Sequence, residues 1–172
     1  MSMKRLRLAF LAMIALILFG CTKETIRDNK EQNDDVNLMS LIASYACVSA
    51  GDKAVITVQT KNNPGFLCME LLVNYDVDIM NLVKVENGRD FLEYNFMPAK
   101  KLTDGCKMVW FVAENQYNTA NGELLKLYFD ISNNVHKGNY IVSVVPIDDG
   151  GIVDGNARPI VVSGTEAIIT IK

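Results

Sequence analysis

The chain contains few of the residues that enzymes and metal sites depend on. Its 172 residues include one histidine, one tryptophan and four cysteines. The histidine, His136, has no nucleophile beside it in a recognisable motif, so catalysis of the serine or cysteine hydrolase kind is not expected. The cysteines form no CxxC pair and no Cys/His cluster, which argues against zinc. With no glycine-rich phosphate loop and no carboxylate pair suited to glycoside hydrolysis, we expect no enzyme, no cofactor and no metal in this chain.

The sequence also lacks a basic patch. Lysine and arginine number 17 against 20 aspartates and glutamates, which gives a net charge of −3. Residues 1–20 carry three of the basic residues and none of the acidic ones, so their removal would leave 14 against 20, a net charge of −6. Nucleic-acid-binding proteins need a cationic surface to neutralise phosphates. Nucleic acid is therefore not an expected partner.

No apolar run reaches the length of about 20 residues that a membrane-spanning helix needs. The apolar run at the amino terminus, Leu8–Gly20, has 13 residues and follows three basic residues within the first seven positions. This pattern is typical of a signal peptide. Its end, Leu18-Phe19-Gly20-Cys21, resembles a bacterial lipobox, in which cleavage precedes a cysteine that receives lipid. We therefore predict a lipoprotein signal peptide at 1–20 and membrane attachment through lipid on Cys21. This would place the protein at the extracellular face of a bacterial membrane; the alternative is a plain secretory signal followed by an accidental cysteine.

Composition divides the remainder of the chain into a linker and a domain. Residues 21–37 are polar, charged and nearly free of large apolar groups, so they are predicted to be a flexible linker. Residues 38–172 suffice for one domain. This domain has an odd number of cysteines, Cys47, Cys68 and Cys106, for which we expect thiols rather than a disulfide.

Short runs of valine, isoleucine, leucine, tyrosine and phenylalanine between turn residues predict an all-β domain, the pattern of a sandwich. Only Met80–Val85 is also compatible with one helical turn, and 87–100 is expected to be a loop. Nine strands are predicted, near 41–48, 53–61, 66–75, 80–86, 101–104, 106–114, 123–132, 138–146 and 165–171.

Alternation along two of these strands assigns side chains to the core or to the opposite face. The predicted core rows are Leu67, Met69, Leu71, Val73 and Tyr75 on the first strand, and Cys106, Met108, Trp110 and Val112 on the second. The outward rows are Phe66, Cys68, Glu70, Leu72 and Asn74, and Lys107, Val109, Phe111 and Ala113. A solvated face normally alternates to polar residues, so these partly apolar outward rows predict an interaction surface. The alternative is that the loop 87–100 covers them.

Three segments, in order and spacing, carry a resemblance to a known family. They are PGFLCMELLVNYDVDIMNL from Pro64 to Leu82, MVWFVAEN from Met108 to Asn115, and LKLYFDISNNVHKGNYIVSV from Leu125 to Val144. Together they resemble a cohesin domain, the dockerin-binding module of cellulosome-type assemblies. The resemblance implies a nine-stranded β-sandwich with jelly-roll topology that binds a protein and catalyses nothing.

The resemblance also implies where a partner binds. In cohesins the sheet formed by the third, fifth, sixth and eighth strands receives the dockerin, and family members often have Asn or Asp where this chain has Cys68 and Glu70. The implied partner is a dockerin-bearing enzyme or scaffold, and calcium is expected in the dockerin. The matching positions are Cys68, Glu70 and Leu72 on the third strand, Leu102 on the fifth, Phe111, Ala113 and Glu114 on the sixth, and Ala157 in the last loop, near the eighth.

Other interpretations stay open at this point. A carbohydrate-binding module has similar architecture, but it usually presents exposed aromatic residues, whereas Trp110 is in core phase. A structural envelope lipoprotein could use the outward face for self-association. The acidic loop 148–156 fits either calcium ligation or ordinary turns. Asp76 and Asp78 are expected to cap the short element at 79–83.

Overall fold

The computed structural model describes residues 37–101, 105–112, 117–147 and 152–172, with the side chains of 37 and 99–101 left out. The predicted signal peptide, Cys21 and nearly all of the predicted linker lie outside these residues. Within the described ranges, no helix has the length and apolar character needed to cross a membrane.

Alternating burial along the strands produces two sheets packed face to face. On Lys53–Lys61, for example, buried and solvent-facing side chains alternate along the strand, as expected when one face of a sheet is buried. The described strands are β1 (Asn37–Ala43), β2 (Ala46–Val48), β3 (Lys53–Lys61), β4 (Cys68–Asn74), β5 (Met80–Asn87), β6 (Asn95–Lys101), β7 (Gly105–Phe111), β8 (Gly122–Ile131), β9 (Gly138–Pro146), β10 (Ile160–Ser163) and β11 (Thr165–Ile171). A short 3₁₀ helix, Arg89–Phe91, precedes β6. One sheet has the order β10-β1-β3-β8-β5, and the other β2-β11-β9-β4-β7-β6.

The chain passes from one sheet to the other near both ends of the domain. β1 lies in the five-stranded sheet and β2 in the six-stranded one, and the same change separates β10 from β11. The pairs β1–β10 and β2–β11 are parallel, whereas the other described pairs are antiparallel. Gly164 allows the second crossing, because a Cβ there would lie 2.8 Å from the carbonyl oxygen of Val144. The predicted all-β sandwich with jelly-roll topology is confirmed.

The core lies between the two sheets and contains the only tryptophan. Trp110 on β7 is fully buried, as the alternation predicts. Its Nε1 donates a hydrogen bond of 2.8 Å to Oδ1 of Asn87, which ends β5 in the opposite sheet. The ring of Phe96 packs against it at a centroid distance of 4.8 Å. A polar atom of the tryptophan is thereby satisfied inside the sandwich, as burial requires.

Several strand predictions are wrong in detail. The described residues contain eleven strands rather than nine. The predicted strand 41–48 is two strands, because the chain changes sheets at Ser44 and Tyr45, and β10 was not predicted. The ambiguous segment beginning at Met80 is strand β5. The expected loop 87–100 contains the 3₁₀ helix and most of β6, and the predicted strand 101–104 overlaps β6 only at Lys101.

Phe66 was assigned to the outward face, and this assignment is wrong. The side chain is fully buried. The centroid of its ring lies 4.5 Å from that of the Tyr94 ring and 5.8 Å from that of the Phe91 ring. Alternation fails here because β4 begins only at Cys68, after a bend at Leu67. The hydroxyl of Tyr94 donates a hydrogen bond of 2.8 Å to the carbonyl oxygen of Phe66 and holds this segment in place.

Candidate partner-binding face

The outward side of β9, β4, β7 and β6 forms a continuous sheet surface, which we call the β4–β7 face. These four strands are consecutive neighbours in the six-stranded sheet. Register places Phe111 opposite Cys68 and Asn95. The face is formed by the outward residues Met97 on β6, Lys107, Val109 and Phe111 on β7, Cys68, Glu70, Leu72 and Asn74 on β4, and Ile141, Ser143 and Val145 on β9.

The β4–β7 face carries apolar side chains that reach solvent. Met97 is 53% exposed and Phe111 36% exposed, while Val109, opposite Met97, and Leu72 on β4 are half-buried. The segment 87–100, expected as a possible cover, instead adds β6 to the edge of the sheet and leaves Phe111 accessible. A cluster of this kind on a sheet face is characteristic of interaction surfaces.

An ion pair lies on the same face, between Leu72 and Val109. Lys107 Nζ contacts Glu70 Oε2 across the β4–β7 pair. Glu70 is opposite Val109 and Lys107 is opposite Leu72, so the two charges occupy one diagonal of a four-residue group and two aliphatic side chains the other. The resemblance implies that Glu70 contacts the partner. In the structure it already pairs with a lysine of its own chain.

Cys68 lies at the edge of this four-residue group, and its thiol adds an uncharged side chain to the face. Burial and the neighbouring Glu70 carboxylate raise the pKa of its thiol, and Lys107 opposes the shift in part. A protonated thiol behaves as a small apolar side chain. As predicted, Cys68 and Cys106 point to opposite sides of the sheet, and Cys106 is buried. None of the three cysteines in the described part of the chain is in a disulfide.

Ala157 lies in a tight turn beside the beginning of β4. Val153 bridges to Cys68 on one side and to Pro159 on the other, so the intervening turn is held at this end of the β4–β7 face. Ala157 is exposed and has a positive φ of 60°. Its amide donates a hydrogen bond of 2.9 Å to the carbonyl oxygen of Asp154. This predicted site residue is therefore near Cys68, at the margin of the face.

The Asp154 carboxylate organises the same turn from inside. It accepts hydrogen bonds from the amide of Arg158 at 2.9 Å and from the amide of Asn156 at 2.8 Å. The Arg158 guanidinium also pairs with it, at 2.7 Å. The hydrogen bond from the Arg158 amide is the main cause that lowers the pKa of the Asp154 carboxyl. The Arg158 guanidinium and the Asn156 amide lower it further. The observed role of this acidic residue is to form the turn.

Three of the predicted site residues, Leu102, Ala113 and Glu114, lie outside the described residues. Asp148 and Asp149 of the acidic loop do as well. No group of three or more potential metal ligands occurs in the part of the chain that is described.

The family model for the cohesin domain matches residues 42–171, which is most of the chain. The chain belongs to the cohesin domain family. No curated protein sequence matches it significantly.

Solved structures share the fold at low identity. The sixth cohesin of scaffoldin B from Acetivibrio cellulolyticus, in complex with a dockerin, has a TM-score of 0.67 and 16% identity, over 78% of this chain and 99% of that one. A type I cohesin from Clostridium thermocellum, also in complex with a dockerin, gives 0.66 and 14%, over 79% and 100%. A non-cellulosomal cohesin from the archaeon Archaeoglobus fulgidus gives 0.65 and 16%, over 78% and 91%. At such identities these likenesses show the fold alone.

The strands assigned to the cohesin binding sheet from sequence are found together. The predicted third, sixth and eighth strands correspond to β4, β7 and β9, and the predicted fifth meets β6 only at Lys101; the four strands are adjacent in the order β9-β4-β7-β6. Cys68, Glu70 and Leu72 therefore share one face with Phe111, and Ala157 lies at its margin. That these residues bind a partner stays a prediction.

Sequence reasoning missed other residues of this face. Met97 was missed because Pro98 argues against a strand; a proline is tolerated here because β6 is an edge strand. Ile141 on β9 and Ile168 on β11 are opposite each other and about half exposed. Their alternation with buried neighbours could have revealed them, since valine and alanine at the intervening positions are core residues.

The opposite outer face of the sandwich is more polar at its centre. On β3, β8 and β5, Lys53 pairs with Asp130 at 2.6 Å, and Tyr128 donates a hydrogen bond to Glu86, which also pairs with Lys84. Its exposed aliphatic residues are Leu38, Ile42, Val55, Val83 and Val161. Five charged or hydroxyl groups take part in these contacts on β3, β8 and β5, whereas the described residues of the β4–β7 face form one ion pair.

The remaining acidic and histidine candidates have structural contacts. Oδ1 of Asp76 accepts a hydrogen bond of 3.0 Å from the amide of Asp78, and the turn it caps leads into strand β5 rather than into a helix. His136 offers its backbone carbonyl to the hydroxyl of Tyr140 at 2.9 Å.

Proposed function

We propose that this cohesin is a cell-surface receptor that binds a dockerin-bearing enzyme or scaffold through the β4–β7 face and tethers it to a bacterial membrane. The domain acts by binding alone. Calcium belongs to the dockerin, whose loops need the ion to fold.

One observation carries the binding part of this proposal. The sheet that receives dockerins in the family is here the sheet face on which Phe111, Val109, Leu72 and Met97 form an accessible apolar cluster. Protein interfaces have an apolar centre with polar groups around it. The Glu70–Lys107 pair and Asn74 provide such polar groups at the same surface.

The tethering part rests on the sequence. Lipid on Cys21 would hold the chain at the membrane, and the polar segment 21–37 would separate the domain from the bilayer. An extended chain of this length reaches roughly 50 Å, which leaves the β4–β7 face accessible to a large partner. The proposed location is the extracellular face of a bacterial membrane.

Dockerin binding can be measured with defined proteins. The domain 38–172 would be titrated by calorimetry with each purified dockerin module encoded in the same genome, in calcium and after chelation with EDTA. We expect at least one dockerin to bind in calcium and none in EDTA. The melting temperature of the domain itself should not depend on EDTA, which assigns the ion to the dockerin. Absence of binding across the panel would contradict the proposal.

A carbohydrate-binding function has less support. Such modules present exposed aromatic rings to sugar, but Trp110 is fully buried and hydrogen-bonded inside the sandwich. The domain should therefore not be retained on insoluble cellulose or xylan. Retention that a soluble oligosaccharide competes away would make this alternative the better one.

A further inference from the structure

The ion pair between Glu70 and Lys107 lies on the β4–β7 face, where the dockerin is proposed to bind. Both residues are on interior strands of the six-stranded sheet, and their side chains are partly covered, with 28% exposure for Glu70 and 40% for Lys107. Val109 and Leu72 flank the pair in register. The pair therefore has a fixed direction, with its negative end beside Val109 and its positive end beside Leu72.

Covering such a pair has different consequences for different partners. A wholly apolar partner would remove both charges from water without forming a hydrogen bond to either, so the desolvation free energy would oppose binding. A partner with one charge would satisfy one end and repel the other. Among charged partners, only one with an acidic group near Lys107 and a basic group near Glu70 compensates both ends, and close charge pairs of this kind couple strongly across interfaces.

We propose that Glu70 and Lys107 act as an oriented charge pair that selects the partner by the order of its charges. This inference rests on the proposed dockerin-binding function and specifies the partner surface. The fitting surface is a helix with one acidic and one basic side chain a turn apart. Residues three or four apart on a helix have Cβ atoms about 5–6 Å apart, comparable to the diagonal spacing of roughly 7 Å between residues on adjacent strands.

The decisive variant exchanges the two residues, Glu70→Lys with Lys107→Glu. It keeps an ion pair within the sheet, and both side chains are partly exposed, so the melting temperature should stay unchanged. The direction of the pair is reversed. We expect the affinity for a dockerin that binds the wild-type domain to fall at least tenfold, and exchange of the acidic and basic residues on the dockerin helix to restore it.

A matched exchange on the opposite sheet serves as the control. Lys53→Asp with Asp130→Lys reverses a pair of the same kind on β3 and β8, and it should leave dockerin affinity within twofold of the wild type. If the Glu70/Lys107 exchange also binds within twofold, the pair is only structural and the inference is wrong, while the proposed function stands. If the wild-type domain binds no dockerin, the proposed function itself fails.

A neutral variant covers the case in which the exchanged domain does not fold. Glu70→Gln with Lys107→Gln removes both charges with little change in shape. Wild-type affinity should fall with added salt more steeply than that of the neutral variant, since screening weakens charge pairs. Equal salt dependence of the two proteins would overturn the inference.

Discussion

Replacement of Phe111 by alanine tests the candidate face at its largest side chain. The residue is 36% exposed in the free domain, so a bound partner could still cover roughly 70 Å² of a ring that offers about 200 Å². At about 25 cal/mol per Å², this area corresponds to about 2 kcal/mol of binding free energy. The expected loss of affinity is therefore about 20- to 30-fold, in the range of an interface hot spot.

The same substitution should have a smaller effect on folding than a core truncation. The covered part of the ring packs on the sheet surface, beside Cys68 and Asn95 in register. The covered part of the ring, about 130 Å², sets an upper bound of about 3 kcal/mol on the unfolding free energy lost in Phe111→Ala, against about 3–5 kcal/mol for alanine at a fully buried phenylalanine.

Binding and folding are measured on the same protein. Calorimetric titration with the dockerin gives the affinity, and urea denaturation gives the unfolding free energy. Val55→Ala is the matched control, because Val55 is 42% exposed on the opposite sheet and should leave affinity unchanged. Unchanged affinity of a folded Phe111→Ala domain would refute the placement of Phe111 in the interface, and a stability loss above about 3 kcal/mol would mean that the residue acts as core.

Three further predictions follow from single residues. Cys21→Ser should move the protein out of the membrane fraction or leave it unprocessed; a cleaved mutant that still sediments with membranes in fractionation would contradict lipidation. Gly155→Ala should destabilise the domain by about 1–3 kcal/mol, because its Cβ would lie 2.0 Å from the Tyr117 ring; Tyr117→Ala in the same chain should recover part of this loss in denaturant titrations. The contribution of Asp154 to stability should be present above its unfolded pKa and lost as pH falls through its lowered folded pKa. Thermal melts of Asp154→Asn should therefore show a flatter decline at acid pH, and an unchanged acid profile would exclude this role.

Sequence patterns predict the interior strands of this fold well. Alternation from Met69 to Tyr75, and from Cys106 to Trp110, assigns the core side of β4 and β7 correctly, because a two-residue period holds wherever a strand is paired on both sides. The pattern fails at Phe66, where the chain has not yet entered the sheet. It fails again where the chain passes into the other sheet, as at Ser44 and Tyr45, because the single predicted strand 41–48 is then divided between two strands.

The candidate site was predictable where it lies on those interior strands. Cys68, Glu70, Leu72 and Phe111 are brought to one face by register alone. Met97 could not be found, because an edge strand needs few hydrogen bonds and so tolerates Pro98. The sequence pattern also does not predict the ion pair between Glu70 and Lys107. That contact depends on the register between two distant segments, which makes these residues diagonal neighbours.

Methyl NMR can show whether a dockerin binds the β4–β7 face. The domain would be labelled at leucine and valine methyl groups and titrated with a calcium-loaded dockerin. Leu72 and Val109 lie on the β4–β7 face, whereas Val55 and Val161 are exposed on the opposite sheet. Binding at the β4–β7 face should produce large shifts for the methyl groups of Leu72 and Val109 and none for those of Val55 and Val161. Shifts confined to Val55 and Val161, with Leu72 and Val109 unmoved, would contradict it.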